Sequence, residues 1–425
     1  MERPAAVTAP ATTGAAERGT AADLPDLLYG DTETELRAAV RSLLDDRCGW
    51  REVLARTETA ETYDTGLWRT LAAELGCAGL LIPEASGGAG ASYREAAVVA
   101  EETGRAVAPV PYLGSAAVAT AALLSAGGSG GSPPRGSTAG EEELLAALAE
   151  GSVTAALAVP FAAAPGARPE PTVRLGPPGP GQEDGGYLLS GTVTGVADAL
   201  PADVLLVPAD GVPYGLYAVR AADAGVSVTP VVSLDMTRQL ADVTLDRVPG
   251  RRVATGADAE RAVATALTAG AAVLASEQLG LAERCLEITV AYLKERHQFA
   301  RPIGSFQALK HRAADLWVGV TQARAAARYA AACLAREDPD TPVAVALAKA
   351  ACSDIAVRAA QECVQLHGGI GFTWEHPAHL YLKRAKSSSI GFGTADHHRA
   401  SLAGLINLPR PPALPNPPPL PEASR

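Results

Sequence analysis

No Cys-x-x-Cys pair occurs anywhere in the 425-residue chain, which removes zinc ribbons and thioredoxin-like redox pairs from consideration. The six cysteines, Cys48, Cys77, Cys285, Cys333, Cys352 and Cys363, are too sparse for a disulfide scaffold and read as buried free thiols. Basic residues are in deficit. Lys and Arg number 36 against 47 Asp and Glu, a formal charge of −11, which argues against nucleic acid or an anionic membrane surface as the main partner. No apolar stretch of secretory-signal length follows Met1. The longest charge-free run, between Arg105 and Arg135, is broken by Pro109, Pro111 and many glycines, so no membrane span is expected. A soluble cytoplasmic protein is the expectation. No glycine-rich phosphate loop opens a helix in the strand-rich part, so a Rossmann domain is not indicated.

What is present divides into five segments. Residues 1–30, rich in Ala, Thr and Pro, read as a disordered tail. Residues 31–150 carry helical periodicity. Leu36, Val40, Leu43 and Leu44 share one face; Leu67, Leu71 and Leu75 repeat that spacing up to Gly76. Ser92 and Glu95 form a capping box. The stretch 126–140 (AGGSGGSPPRGSTAG) reads as a linker. Residues 151–252 change to short strands, among them Val153–Val159, Tyr187–Leu189, Val204–Val207 and Val226–Val232, spaced as in an antiparallel sandwich or barrel. Residues 253–407 are helical again. The spacing predicts a buried helix over Ala264–Tyr292 and a second from about Ser305 to Ala335. A third is capped at Thr341, with Pro342 first in the helix, and ends at Gly368-Gly369. A last one begins near Thr394. From residue 408 the chain is a Pro-rich tail.

Three stretches resemble the acyl-CoA dehydrogenase family of flavoproteins. They are WRTLAAELGCAGLLIPEASGGAG from Trp68, RHQFARPIGSFQ from Arg296 to Gln307, and the span from QLHGGIGFTWEHP at Gln365 to IGFGT ending at Thr394. The segment SLDMTRQLADVTLD, residues 233–246, is also similar to family members. The resemblance implies a mainly α fold with an N-terminal helical domain, a middle β-barrel or sandwich domain and a C-terminal four-helix bundle. It implies FAD, held between domains and against a neighbouring subunit, usually in a dimer of dimers such as a homotetramer. The implied reaction is α,β-dehydrogenation of an acyl thioester, on CoA or a carrier protein. A carboxylate takes the α proton, flavin N5 takes the hydride, and the electrons leave to an acceptor such as an electron-transfer flavoprotein.

By the same resemblance, Arg296 contacts the FAD pyrophosphate, a role that suits a guanidinium forking onto phosphate oxygens. Phe299 and Gln307 match the motif's aromatic and amide; Ala300 stands where the family usually has Gly. Gln365, Gly368 and Gly369 match the segment that approaches FAD from a partner subunit, where glycine permits close approach. Thr394 completes the expected FAD set. Each also has a plainer reading: Arg296 as a cation at a helix C-terminus, Gly368 as a helix cap. His376 and His379, like the adjacent His397 and His398, lack further ligands at metal-binding spacing, so no metal site is expected.

The catalytic base is missing from both family positions. Many members place a glutamate in an EGT segment; that position here is Phe392. A smaller branch places it on the first helix of the C-terminal domain; that position is Gly270. Neither residue can accept a proton. The family's aromatic flavin contact in the β domain is also lost, with Thr194 to Val196 in its place. Three readings follow: another base near Phe392, such as Asp396, His397 or His398; a subunit whose partner supplies the glutamate; or flavin-dependent monooxygenation, which needs no such base.

Overall fold

The computed structural model describes residues 25–127, 139–166, 168–176 and 187–408. The tails expected at the ends, and most of the 126–140 linker, lie outside the described residues. The first helices are α1 (Asp31–Arg47), α2 (Trp50–Thr57), α3 (Thr65–Arg69), which runs on as a π-helical turn over Thr70–Glu74, and α4 (Tyr93–Ala106). Val40 and Leu44 of α1 are buried, with Leu36 and Leu43 packed beside them, as the periodicity predicts. The capping box forms: Ser92 Oγ accepts the Arg94 N–H at 3.1 Å, and Glu95 accepts the Ser92 N–H at 2.9 Å. Tyr29, just before α1, is held by its hydroxyl's 2.6 Å bond to Glu101. The charge-free run becomes a π-helical segment, Tyr112–Ala119, continuing into α5 (Thr120–Ala126); Pro109 and Pro111 precede it rather than break it. It is almost entirely buried, which is what its lack of charge serves. Helix α6 (Ala139–Ala149) closes this part.

The middle part is one seven-stranded sheet: β1 (Ala155–Leu157), β2 (Val173–Gly176), β3 (Tyr187–Ala197), β4 (Val204–Ala209), β5 (Gly215–Arg220), β6 (Val226–Pro230) and β7 (Leu240–Thr255). The strand order is β1-β4-β5-β7-β3-β2. Strand β7 organises it, with β5 paired to its second half and β6 to its first. The all-antiparallel expectation needs one correction: β1 runs parallel to β4. The two strands are separated by β2 and β3, so the connection is a crossover and not a hairpin.

The last part holds α7 (Ala257–Glu295), the short hairpin β8 (His297–Gln298) and β9 (Arg301–Pro302), α8 (Gln307–Ala335), α9 (Thr341–His367), α10 (Ala378–Ile390) and α11 (Ala395–Leu405). Helix α7 is longer than its periodicity suggests. It is long and apolar enough to cross a membrane by composition, but most of that stretch is buried within the fold. Thr341 is the first residue of α9 and Asp340 occupies the cap position, one residue earlier than expected. Periodicity does not reveal α10, because its mixture of Lys, Arg and Ser shows no apolar stripe.

Buried charge ties these parts together. Glu277 of α7 is bound by Arg238, from the segment before β7, and by Arg384 of α10, whose Nε lies 2.9 Å away. All three are buried. Burial pushes the Glu277 carboxyl up, but the two guanidinium groups outweigh it and hold the group below its ordinary value. Removing any one member would strand a buried charge.

Lys349 of α9 is also fully buried. Its Nζ donates to Ser353 Oγ at 2.7 Å, to the Ser388 carbonyl at 3.1 Å and to the Gly393 carbonyl at 3.3 Å, pinning the turn between α10 and α11 onto α9. Burial lowers its pKa from 10.5 to about 7. The unfolded chain therefore binds more protons than the folded one between those values, so this lysine makes stability rise with pH there. Relative to Lys349→Met, the wild-type chain should gain up to about 1.4 kcal/mol per pH unit across that window. Urea titrations of both proteins at several pH values would show it; parallel pH profiles would contradict it.

Candidate functional site

The departures from the family pattern meet at one point. Phe392 sits in the turn between α10 and α11, buried, with a positive φ of 51°. Its ring lies against Gly270 of α7: a Cβ added at Gly270 would stand 2.7 Å from Phe392 Cζ and 2.9 Å from Val118 Cγ2. The glycine is what admits the ring. Phe161, in the loop after β1, packs edge-on against Phe392 with centroids 5.5 Å apart. The backbone fixes this arrangement. The Phe392 N–H donates to the Phe161 carbonyl at 2.7 Å, and the Phe161 N–H donates to the Gly195 carbonyl at 2.9 Å. Gly195 lies in the register shift of β3, within the stretch where the aromatic flavin contact is absent. Both glutamate positions and the altered β segment thus border one cluster packed with aromatic rings.

None of the neighbouring candidates replaces the base. Asp396 is exposed and its carboxylate bonds Arg399 at 3.0 Å. His397 is exposed on α11. His398 is buried, and its Nε2–H donates to the Phe392 carbonyl at 2.8 Å. Burial lowers its pKa to about 4, which leaves a weak base. The buried carboxylate Glu277 is spent on two arginines. Asp198 accepts from Tyr63 Oη at 2.7 Å and from the Gly114 N–H at 2.8 Å.

The residues expected to meet FAD fall into two places. Arg296 ends α7, and its carbonyl accepts the Ile303 N–H at 2.7 Å across the β8–β9 hairpin. That hairpin carries Phe299 and leads into Gln307, the first residue of α8. Arg296 and Gln307 are exposed, Phe299 is 86% exposed, and among the described residues the Arg296 guanidinium has no partner. At the far end of α9, Gln365, Gly368 and Gly369 are exposed as well. Gly368 has φ 62°, and a Cβ at either glycine would meet nothing within 4 Å. The rings of Tyr292 on α7 and His367 on α9, centroids 4.5 Å apart, hold the two helix ends together. Six of the seven residues therefore share one end of the bundle, with an unspent guanidinium and a side-chain-free backbone, features that suit a pyrophosphate. Thr394 lies elsewhere. It caps α11, accepting the His397 N–H at 3.3 Å, beside the Gly393 carbonyl that Lys349 holds. Along α9, Lys349 and His367 are 18 residues apart, about 27 Å.

His376 and His379 belong to aromatic packing: His376 stacks on His367 at 4.0 Å, and His379 meets Trp374 edge-on at 4.6 Å. Among the described residues no group of three His, Cys, Asp or Glu is arranged to hold a metal. Sequence reasoning misses Phe161, Arg238 and Lys349. Arg238 sits in a segment notable only for its resemblance, and Phe161 in an unremarkable Ala-Pro stretch. A lysine inside the apolar run of α9 is the one visible signal for a buried cation.

Comparison with known proteins agrees with this architecture. Residues 30–130 match the family model of the acyl-CoA dehydrogenase N-terminal domain, and residues 260–405 match that of the C-terminal domain. The acyl-CoA dehydrogenase IpdE2 of Mycobacterium tuberculosis is 37% identical over 358 residues, covering 83% of this chain and 91% of the relative. A variant of the Tcur3481-Tcur3483 steroid ACAD is similar in structure, with a TM-score of 0.75 and 32% identity, covering 89% of this chain and 98% of that one. The ChsE4-ChsE5 complex from Mycobacterium tuberculosis gives a TM-score of 0.76 at 27% identity, covering 91% and 100%. Matched at both helical parts and along most of its length, the chain belongs to the acyl-CoA dehydrogenase family, oxidoreductases that act on CH–CH groups.

Proposed function

We propose that this chain is one subunit of a hetero-oligomeric, FAD-dependent acyl-CoA dehydrogenase and leaves α-proton removal to a glutamate on its partner chain. One observation carries the reading: the two positions that the resemblance gives the base meet where the Phe392 ring packs against Gly270, with no free carboxylate beside it among the described residues. An α C–H is too weak an acid to be removed without a positioned base. On this reading the ring also fills space that a substrate would otherwise take. Two solved relatives support the reading, since each carries a paired name and ChsE4-ChsE5 is a complex.

On this reading the open end of the bundle is the contribution of this chain. Arg296 would bind the pyrophosphate of FAD. Gly368 and Gly369 would let the backbone come close, with Gln307 and Gln365 adding amide contacts and Phe299 an apolar wall. When bound, FAD supplies the hydride acceptor. Thr394 would face a flavin only in this chain's own corner, which Phe161 and Phe392 fill. The substrate is an acyl thioester, and the electrons leave to an external carrier such as an electron-transfer flavoprotein.

Two experiments test this. The purified chain, given FAD, a dye acceptor and a panel of acyl-CoAs that includes steroid-ring thioesters, should reduce no dye. Co-expressed with a family member that keeps the EGT glutamate, it should form an active complex. Dye reduction by the isolated chain would refute the proposal. In that complex, Arg296→Ala should raise the FAD dissociation constant roughly 10- to 100-fold, the cost of about 1.5–3 kcal/mol for a charged hydrogen bond. Fluorescence titration of FAD into the apo complex would measure it; an unchanged constant would remove Arg296 from the FAD site.

A further inference from the structure

The start of α10 rests on imidazole rings. Pro377, at the cap position, offers no side-chain acceptor to the first amides of the helix. The acceptor comes one residue earlier: the Ala378 N–H donates to His376 Nδ1 at 3.3 Å. Only an unprotonated Nδ1 can accept, so the His376 ring is neutral in this arrangement. The same ring stacks on His367 at the end of α9, which in turn stacks on Tyr292 of α7. His379, in the first turn of α10, has both ring nitrogens shielded from water and without a hydrogen-bond partner among the described residues. Its ring meets Trp374 edge-on, and Lys383 of α10 places its Nζ 4.9 Å from the centre of that indole. The groups that face the three imidazoles are therefore Tyr292 from α7, Cys363 from α9, Lys383 from α10 and the rings themselves. Glu375, the nearest acid in sequence, is exposed, and no carboxylate among the described residues pairs with any of the three.

We propose that this cluster is a pH-sensitive latch: with His376 neutral the segment 373–379 is held against α9, and protonation of His376 releases it. A proton on Nδ1 would set one N–H against the Ala378 N–H and end that bond. It would also place a cation at the positive end of a helix dipole, beside a stacked imidazole 4.0 Å away. Burial, then the charges of His367 and His379, lower His376 from 6.5 to about 4. Burial and Lys383 lower His379 as well. At His367 burial lowers the pKa, but its hydrogen bonds with Cys363 outweigh that and raise it, so this neighbour charges first. Once released, with His376 back at its ordinary value, the segment binds more protons between 6.5 and about 4 than it does when held. The hold is therefore complete above that window and is lost as the pH falls through it. The segment carries the exposed Trp374 and lies just past the Gly368–Gly369 turn, so its release loosens the open end of the bundle. The latch belongs to this chain alone and needs neither FAD nor a partner, so it stands or falls apart from the subunit reading.

The test is hydrogen exchange of the purified full-length chain at about pH 6.5 and about pH 5, corrected for the intrinsic pH dependence of exchange and mapped by peptide mass spectrometry. Peptides spanning 370–381 should lose protection roughly tenfold between the two, the effect of one proton bound on release. Peptides from the buried middle of α7 should stay protected. His376→Asn keeps a side-chain acceptor for the Ala378 N–H but no titratable ring, so it should abolish the pH-dependent loss while leaving the segment closed. The latch is refuted if the wild-type segment keeps its protection at the lower pH, if His376→Asn loses protection to the same extent, or if the α7 peptides open together with the segment.

Discussion

An aromatic ring seated on a glycine organises the corner where α7 meets the turn before α11. Phe392 reaches α7 because Gly270 has no side chain to exclude it, and a Cβ there would be 2.7 Å from the ring. The surrounding structure holds the ring in place from several sides. His398 binds its carbonyl, Lys349 binds the next one, and Phe161 binds its amide nitrogen through a main-chain carbonyl. A residue at φ 51° needs such support, since that conformation is costly for a side chain with a Cβ. The same residues that deprive the corner of a base therefore also fill it.

With that corner filled, the other end of the bundle is the open one, and it is the end to which the proposal assigns FAD. There the exposed groups have little to do among the described residues: a guanidinium without a partner, two glycines facing open space, and an 86% exposed phenylalanine. Large exposed apolar groups gain most when another surface covers them. Phe372 and Trp374, just past Gly369, are exposed too, at 78% and 63%. The division of labour proposed above would account for both ends at once: one corner closed because its chemistry is done on a partner chain, the other open because it completes a shared site.

Much of this architecture is legible in the order of the residues. Helical periodicity locates α1, α7 and α9, and the Ser92–Glu95 box marks the start of α4. Motif spacing singles out Phe392 and Gly270 as the positions where the resemblance would put a base. It does not say that residues 270 and 392 touch, because that contact is made only when α7 packs against the turn before α11. The parallel pairing of β1 with β4 is non-local in the same way. Buried charges are the least visible. Arg384 and Arg238 look like ordinary surface residues until Glu277 is placed between them, and Lys349 is recognisable only once the carbonyls of Ser388 and Gly393 surround it. Local pattern reports which face is apolar; it does not report which polar groups find partners inside.

The division of labour requires that the Phe392 ring be packed into the catalytic corner and leave no room there. The unfolding free energy of Phe392→Ala against the wild-type chain measures this directly. A ring packed as described should cost about 3–5 kcal/mol when removed, through lost burial and the cavity left behind. A loss below about 1 kcal/mol would mean that the ring is not packed there, and the corner would again be free to hold a flavin and a substrate.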